Sequence, residues 1–114
     1  MASQPVLDAL DLLGRRWALR LAWELRRDAL TFSQLRQRMA VSPSVLSQRL
    51  RDLDAAGIVD RHGDGRYLLS GAGRELARIL YQLNSWAEST AVERLVASRR
   101  QLEPPGEGRL ATSD

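Results

Sequence analysis

Apolar residues recur at helical spacing along most of this chain, and the pattern predicts a mainly α-helical fold. Pro5 to Leu13 and Trp17 to about Arg27 each carry one apolar stripe, and Gly14 ends the first of these predicted helices. Thr31 and Gln34 fit a capping box at the start of a third, shorter helix. The first third of the chain is therefore expected to form three helices.

The stretch from Ser42 to Ala56 shows the clearest division between an apolar and a polar face. Ser42 is a favourable N-cap, and Pro43 follows at the first helical position, where its missing N–H costs nothing. The apolar face consists of Val45, Leu46, Leu50 and Leu53. The opposite face consists of Ser44, Ser47, Gln48 and Arg51, with Arg49 on its flank. Two short helices joined by a tight turn, the second polar on its outside, predict a helix-turn-helix.

Two short alternating runs follow this helix, from Ile58 to His62 and from Arg66 to Leu69. The Gly-Asp-Gly loop between them predicts a β-hairpin. A hairpin placed directly after a helix-turn-helix is the wing of a winged-helix domain. The chain is therefore expected to continue its helix-turn-helix with a wing.

A long helical segment follows the hairpin, beginning after a cap at Ser70 and extending to about Arg100. Asn84–Ser85 or Ser89–Thr90 is expected to kink this segment or divide it into two helices. A helix of this length overhangs a small winged domain, so its distal half needs a second copy of the chain to cover it. The apolar residues of the distal half are Val92, Leu95 and Val96.

The chain's 114 residues suffice for one domain with a modest core. The predicted fold is mainly α with a small β-hairpin: a winged helix-turn-helix over residues 1–100, with N- and C-terminal dimerisation helices flanking it. Residues 101–114 are rich in Pro, Gly, Glu, Thr and Ser, and this composition predicts a disordered tail.

The charge pattern points toward a polyanionic partner. No acidic residue lies between Asp28 and Asp52, although the interval contains four arginines. These are Arg36, Arg38, Arg49 and Arg51. Acids flank the interval and are absent within it, which keeps repulsion away from phosphates. The net charge is +3, and all 17 basic residues are arginine, which favours bidentate contacts with phosphate and guanine.

We therefore expect double-stranded DNA as the partner, with the polar face of the Ser42–Ala56 helix in the major groove. Arg and Gln side chains can hydrogen-bond base edges there, and Ser hydroxyls can bond phosphates. The solvated surface of an ordinary helix is the alternative for this face, as solvation is for the hairpin arginines. The predicted DNA-contacting residues are Arg36, Ser42, Ser44, Ser47, Gln48, Arg49 and Arg51, with Arg61 and Arg66 on the wing.

Enzymatic chemistry is not expected of this chain. Cysteine is absent, His62 is the sole histidine, and no Gly-rich phosphate loop or carboxylate cluster suggests a cofactor, a metal or acid–base catalysis. No apolar run approaches the roughly 18 residues of a membrane span, and no signal-peptide pattern opens the chain. The expected location is the cytoplasm, with no membrane partner.

Five motifs, in the order found here, are similar to those of one protein family. Leu13–Trp17 is similar to its L-x-G-K-W start, Thr31–Leu35 to its R-F-S-E-L motif, and Ser42–Gly57 to its I-S-x-x-x-L-T-x-R-L-R-x-L-E-x-x-G motif. Tyr67–Leu76 resembles its Y-x-L-T-x-x-G-R-x-L motif, and Trp86 matches a late tryptophan. The chain thus resembles the HxlR-type branch of winged-helix transcriptional regulators, which are relatives of the MarR type.

This resemblance implies a homodimeric, sequence-specific transcriptional regulator that binds a pseudo-palindromic operator. The chain departs from the family pattern at two points. Its loop from His62 to Gly65 is shorter than the usual proline-containing wing, which weakens the case for minor-groove contact through the wing. Several members sense oxidants or electrophiles through an N-terminal cysteine, and this chain has none.

Two further interpretations remain open from the sequence. Aromatic residues on the flanking helices could line a pocket for a flat apolar ligand at a dimer junction, or simply pack in the core and interface. These residues are Trp17, Trp23, Tyr81 and Trp86. The competing function is a winged-helix protein–protein interaction module that does not bind DNA. The acid-free interval argues against that module.

Overall fold

The computed structural model describes residues 4–90 and 92–102, and for residues 92, 93, 95, 101 and 102 it describes the backbone alone. This part of the chain is mainly α-helical with one small β-hairpin, as the sequence predicts. The helices are α1 (Pro5–Leu13), α2 (Ala18–Glu24), α3 (Phe32–Met39), α4 (Pro43–Ala55), α5 (Gly71–Glu88) and α6 (Val92–Leu102), and the strands are β1 (Val59–Arg61) and β2 (Tyr67–Leu69).

One apolar core holds these elements together. Helix α2 packs against α3, α4 and α5, and α4 also packs against β1. Fully burying a Leu or Val side chain contributes about 1.5–3 kcal/mol, so a few such residues supply most of the stabilisation. The largest fully buried side chains are Leu21, Leu35, Leu46, Leu53 and Val59.

Local capping bonds set the bounds of the helix-turn-helix. Thr31 Oγ1 accepts from the Gln34 N–H at 3.1 Å, and Gln34 Oε1 accepts from the Thr31 N–H at 2.8 Å, which confirms the capping box. Ala40 ends α3 in the left-handed conformation with φ of 53°. Ser42 Oγ then accepts from the Val45 N–H at 3.2 Å, with Pro43 in the first turn. A tight turn therefore joins α3 to α4.

The hairpin is antiparallel, with Val59 opposite Leu69. Gly65 adopts φ of +90° in its loop, a conformation that favours glycine. Leu30 joins β2 through a pair of backbone hydrogen bonds with Tyr67, of 2.9 and 2.8 Å. The hydrophobic pattern did not predict this isolated β-bridge, which connects the wing to the segment between α2 and α3.

The second helix is shorter than the sequence predicts. It begins at Ala18 and ends at Glu24, rather than running from Trp17 to about Arg27. Trp17 has φ of +78°, in the left-handed region, so it cannot continue a right-handed helix. Leu25, the residue after the helix, is nevertheless buried, so the predicted apolar stripe still faces the core.

The long C-terminal segment divides at Ser89, one of the two predicted places, into α5 and α6. The outer side of α5 is uncovered: Ile79 is 58% exposed and Trp86 is 54% exposed. Helix α1 has no buried residue. The tail is predicted over residues 101–114, and its first two residues belong to α6. The side chains of Val92 and Leu95 and residues 103–114 lie outside the described part of the chain.

The packing of α5 on the hairpin leads to a stability prediction at Gly73. A Cβ added there would collide with the Ile58 carbonyl oxygen and crowd the Leu69 side chain. Because the collision involves backbone, we expect Gly73→Ala to lower the free energy of unfolding by about 1–3 kcal/mol. Urea denaturation followed by circular dichroism measures this.

Gly71→Ala is the matched control, since its Cβ would meet a flexible Arg74 guanidinium nitrogen at 3.7 Å, an ordinary van der Waals contact. We expect its effect to stay within about 0.5 kcal/mol. Equal stability of the two variants would contradict the close approach of α5 to β2.

Candidate nucleic-acid interface

Helix α4 is anchored on one side and open on the other. Leu46, Leu50 and Leu53 are buried, whereas Ser44, Gln48 and Arg51 are exposed and Ser47 is half-buried. The two predicted faces of this helix are therefore the faces that the structure presents. The outer one carries hydroxyl, amide and guanidinium groups, which are suited to base edges and phosphates.

Side chains on the outer face of α4 are joined to one another. Arg51 Nη2 donates to Gln48 Oε1 at 2.9 Å, and Gln48 Nε2 donates to Asp52 Oδ1 at 2.9 Å. Both Gln48 and Arg51 are exposed despite these bonds. The two predicted base-reading side chains are thus hydrogen-bonded to each other.

Asp52 fastens α4 to the junction between α1 and α2. Its carboxylate lies 3.1 Å from Arg15 Nη1 and 3.0 Å from Arg49 Nη1, and only 9% of its side chain is exposed. Hydrogen bonding from Gln48, and then from Arg15, lowers the pKa of the Asp52 carboxyl below its ordinary value. The carboxylate is therefore charged, and both of its oxygens are occupied.

Arg49 is engaged within the protein. Its Nε donates to the Arg16 carbonyl oxygen at 2.7 Å, its Nη1 is paired with Asp52, and its side chain is 21% exposed. These bonds hold Arg49 against the protein, and the phosphate contact predicted for it stays a prediction. Sequence reasoning missed Asp52 and Arg15, although Asp52 stands three and four residues after Arg49 and Gln48, the spacing of helical side-chain pairs.

Arg36 and Ser42 lie at the entrance to α4. Arg36 is exposed in the last turn of α3 and makes no side-chain hydrogen bond or ion pair with the described residues. Ser42 is half-buried; its hydroxyl oxygen accepts the capping bond and lies 3.4 Å from Ser44 Oγ, a long contact in which either hydroxyl can donate. Both residues are therefore available to a phosphate beside the N-terminus of α4, where the helix dipole also favours an anion.

The wing carries its two predicted arginines on either side of an acid. The Arg61 guanidinium lies 4.9 Å from the centre of the Tyr67 ring, and Arg66 Nε lies 3.7 Å from Asp64 Oδ2. A hydrogen bond from the Arg66 backbone N–H is the main cause of the lowered pKa of the Asp64 carboxyl. His62 Nδ1 lies 3.2 Å from the same carboxylate. The negative Asp64 at the tip opposes phosphate contact there.

A cleft of about 260 Å³ separates α4 from the wing. Ser47, Arg51 and Arg61 lie on its wall together with Asp54 and Asp60. The face of α4 that lacks carboxylates therefore ends at Arg51, one turn before Asp54. The carboxylate-free surface therefore runs from the N-terminus of α4 to Arg51, and in helix-turn-helix proteins the N-terminal residues of the corresponding helix contact base edges.

The predicted aromatic residues lie in different surroundings within one copy of the chain. Trp23 lines an apolar groove of about 300 Å³ between α2 and α5. The Tyr81 ring packs edge-on against the Trp23 ring, with 5.2 Å between the ring centres. The Arg26 guanidinium covers Trp23 at 3.9 Å. Trp17 lies beneath Arg16 instead, and Trp86 is exposed. The groove is lined by Leu19, Arg20, Trp23, Leu80, Leu83, Asn84 and Ala87.

The described part of the chain contains neither a metal-ligand cluster nor a membrane-spanning helix. No group of three metal-ligating side chains comes together within residues 4–90 and 92–102. Among the helices described, none combines the length and the apolar character that crossing a lipid bilayer requires.

The model of the HxlR-like helix-turn-helix family matches residues 12–94, from the end of α1 into α6. The chain belongs to this family. It is 31% identical over 86 residues to the uncharacterized HTH-type transcriptional regulator YvaP of Bacillus subtilis, and the match covers 69% of this chain and 80% of YvaP.

A second relative of this HxlR-like protein is longer. The uncharacterized HTH-type transcriptional regulator Rv3095 of Mycobacterium tuberculosis is 34% identical over 86 residues, which cover 70% of this chain and 54% of Rv3095. The chain thus spans about half the length of that relative.

Among solved structures, quinone-bound YodB of Bacillus subtilis superimposes with a TM-score of 0.69 at 26% identity, covering 77% of this chain and all of YodB. The winged helix-turn-helix fold is therefore shared with regulators of known structure. The HxlR-like chain is a DNA-binding transcriptional regulator and not an enzyme.

Proposed function

We propose that this HxlR-like regulator acts as a homodimer that binds a pseudo-palindromic operator, with one α4 helix in each major-groove half-site. The observation that carries the proposal is the outer face of α4, which is held outward by a buried apolar face and is free of carboxylates as far as Arg51. Gln48 and Arg51 are assigned to bases, because amide and guanidinium groups pair with purine edges. Ser44 and Ser47 complete the face.

The phosphate contacts are assigned to groups around this face. Arg36 and Ser42 lie before α4 and are available for the sugar–phosphate backbone. Arg61 and Arg66 are secondary candidates, because Asp64 lies between them at the tip of the wing. We assign Arg49 to fixing α4 through Arg16 and Asp52 rather than to a phosphate.

The apolar surface of the terminal helices supports the homodimer. Helix α1 has only nine residues, none of them buried, and an isolated helix shorter than roughly 12 residues is marginal in water. Its Val6, Leu7 and Leu10 are 58%, 52% and 59% exposed. Ile79 and Trp86 of α5 are exposed as well, and a second copy of the chain would bury these apolar side chains. Two α4 helices would then be presented about one helical turn, roughly 34 Å, apart.

An aromatic ligand is a second element of the proposal. The groove beside Trp23 is largely apolar and lies against the exposed side of α5, next to the proposed dimer surface. The structure of YodB, which shares this fold, is of its quinone-bound form. A flat aromatic molecule in the groove would contact α2 and α5 and bias their packing, which positions α4.

Base reading is tested with duplexes that the wild-type protein enriches from a randomised pool. We expect Gln48→Ala and Arg51→Ala each to weaken binding to the enriched duplex by about 1–3 kcal/mol, measured by fluorescence anisotropy. Arg36→Ala should instead lower the affinity for all duplexes equally. It should also reduce the slope of log affinity against log salt concentration by about one ion.

Arg78→Ala is the matched control, since this side chain is exposed on α5. It should leave the affinity for the enriched duplex unchanged. Wild-type affinity in both the Gln48 and the Arg51 variant would remove α4 from the reading role.

The dimer is tested with a charge in its proposed interface. Ile79→Asp places a carboxylate on the uncovered face of α5, and desolvating that carboxylate in an apolar interface is unfavourable. We expect sedimentation to show a dimer for the wild type and a monomer for this variant. Ala72→Asp adds the same charge to an exposed position two turns earlier and should remain dimeric. A monomeric wild type would contradict the proposed assembly.

The ligand is tested with 2-methyl-1,4-naphthoquinone as the probe. Because the chain has no cysteine, binding cannot depend on a thiol adduct. We expect saturable binding by calorimetry that weakens about tenfold, or about 1.4 kcal/mol, in Trp23→Ala and persists in Trp86→Phe. An absence of saturable heat with the wild type, or equal binding by Trp23→Ala, would count against the groove as a site for this class of ligand.

A further inference from the structure

We propose that Asp52 is a positioning residue that determines specificity, because it fixes the amide of Gln48 in the orientation that reads adenine. The inference rests on the proposed function, since it concerns the same face of α4. Asp52 itself lies behind this face and is assigned no contact with DNA.

The orientation of the Gln48 amide follows from the chemistry of its two partners. A carboxylate can only accept hydrogen bonds, so the NH₂ group of Gln48 must face Asp52, at 2.9 Å. A guanidinium can only donate, so the Gln48 oxygen must face Arg51, also at 2.9 Å. The two ends of the amide are therefore distinguished by their neighbours, and reversing the amide would break both bonds.

The remaining hydrogen-bonding capacity of Gln48 matches one base. An amide has two N–H donors and two carbonyl lone pairs, and the contacts with Asp52 and Arg51 use one of each. One donor and one acceptor remain. In the major groove, adenine presents the N7 acceptor beside the N6 donor, the pair that a Gln amide binds in bidentate fashion. Arg51 keeps its other N–H groups for the neighbouring base or a phosphate.

Asp52 can restrain the Gln48 side chain because its own carboxylate is restrained by two arginines. Arg15 Nη1 and Gln48 Nε2 share its Oδ1, and Arg49 Nη1 occupies its Oδ2. Arg49 is in turn tied to the Arg16 carbonyl, 33 residues away in the chain. A side chain restrained before binding loses less conformational entropy when it binds, so this support favours the base contact.

The same partners make an acid tolerable close to DNA. Two arginines pair with the single charge of Asp52, so the local balance is positive. Only 9% of its side chain is exposed, so little of the carboxylate is accessible to an approaching phosphate. Asp54 differs in both respects, because it is exposed and has no ion pair or hydrogen bond among the described side chains.

The test compares base preferences after selection from a pool of duplexes with a randomised central segment. The proteins are the full-length wild type, Asp52→Ala, Gln48→Ala, the double variant, and Asp54→Ala as a control that removes the same charge two residues away. Sequencing of the bound duplexes gives the preference at each position. Anisotropy with an unselected duplex measures sequence-independent binding.

We expect the wild type to prefer adenine at one position in each half-site, and Asp52→Ala to reduce that preference about tenfold while other positions keep theirs. Gln48→Ala should flatten the same position, and the double variant should be no worse than Gln48→Ala, because Asp52 acts through Gln48. Asp54→Ala should raise affinity for all duplexes without changing any preference.

Three results would overturn the inference: an unchanged preference in Asp52→Ala, a preference for another base at the position that depends on Gln48, or a uniform gain in affinity like that of Asp54→Ala. If Asp52→Ala does not fold by circular dichroism, Asp52→Asn replaces it, since three donors then compete for one oxygen and the same position should weaken. Failure of the wild type to enrich any sequence would instead refute the proposed function.

Discussion

The burial of one face of α4 is the constraint on which the rest of this structure depends. Leu46 and Leu53 are completely buried and Leu50 is 5% exposed, so the helix is anchored in the core on three successive turns. A helix held in this way cannot rotate without pulling Leu side chains into water, at a cost of about 1.5–3 kcal/mol each. Its outer side chains therefore occupy a defined surface, and the Arg15–Asp52 ion pair and the Arg49–Arg16 hydrogen bond tie the same helix to the α1–α2 junction.

The apolar residues outside that core explain the remaining architecture. The winged core is complete within α2 to the first half of α5, whereas α1 and the outer side of α5 keep large apolar side chains in water. In one copy of the chain, the apolar side chains behind α4 are buried, whereas those of α1 and the outer side of α5 are exposed. The proposed symmetric pair would bury the terminal helices and present two α4 helices to one operator.

Most of the fold could be predicted from local patterns. The bounds of α1, the Thr31 capping box and the division at Ser89 follow from residues a few positions apart, and the structure agrees. Contacts between distant residues were not predictable: Arg15 meets Asp52, and Leu30 pairs with Tyr67, through tertiary packing alone. The left-handed backbone at Trp17 has no local signal either, because tryptophan rarely adopts it. For the site, periodicity predicted which face of α4 is exposed but not that Arg49 is engaged internally.

Placement of α4 in the major groove is tested most directly by DNA cleavage from a chelated iron on Ser44→Cys, which would be the only thiol in the chain. Bound to the duplex that the protein enriches, the reagent should cut at two clusters about one helical turn, roughly 34 Å, apart. The same reagent on Glu75→Cys, an exposed position of α5, supplies the background. Diffuse cutting from position 44, no stronger than from position 75, would contradict this account.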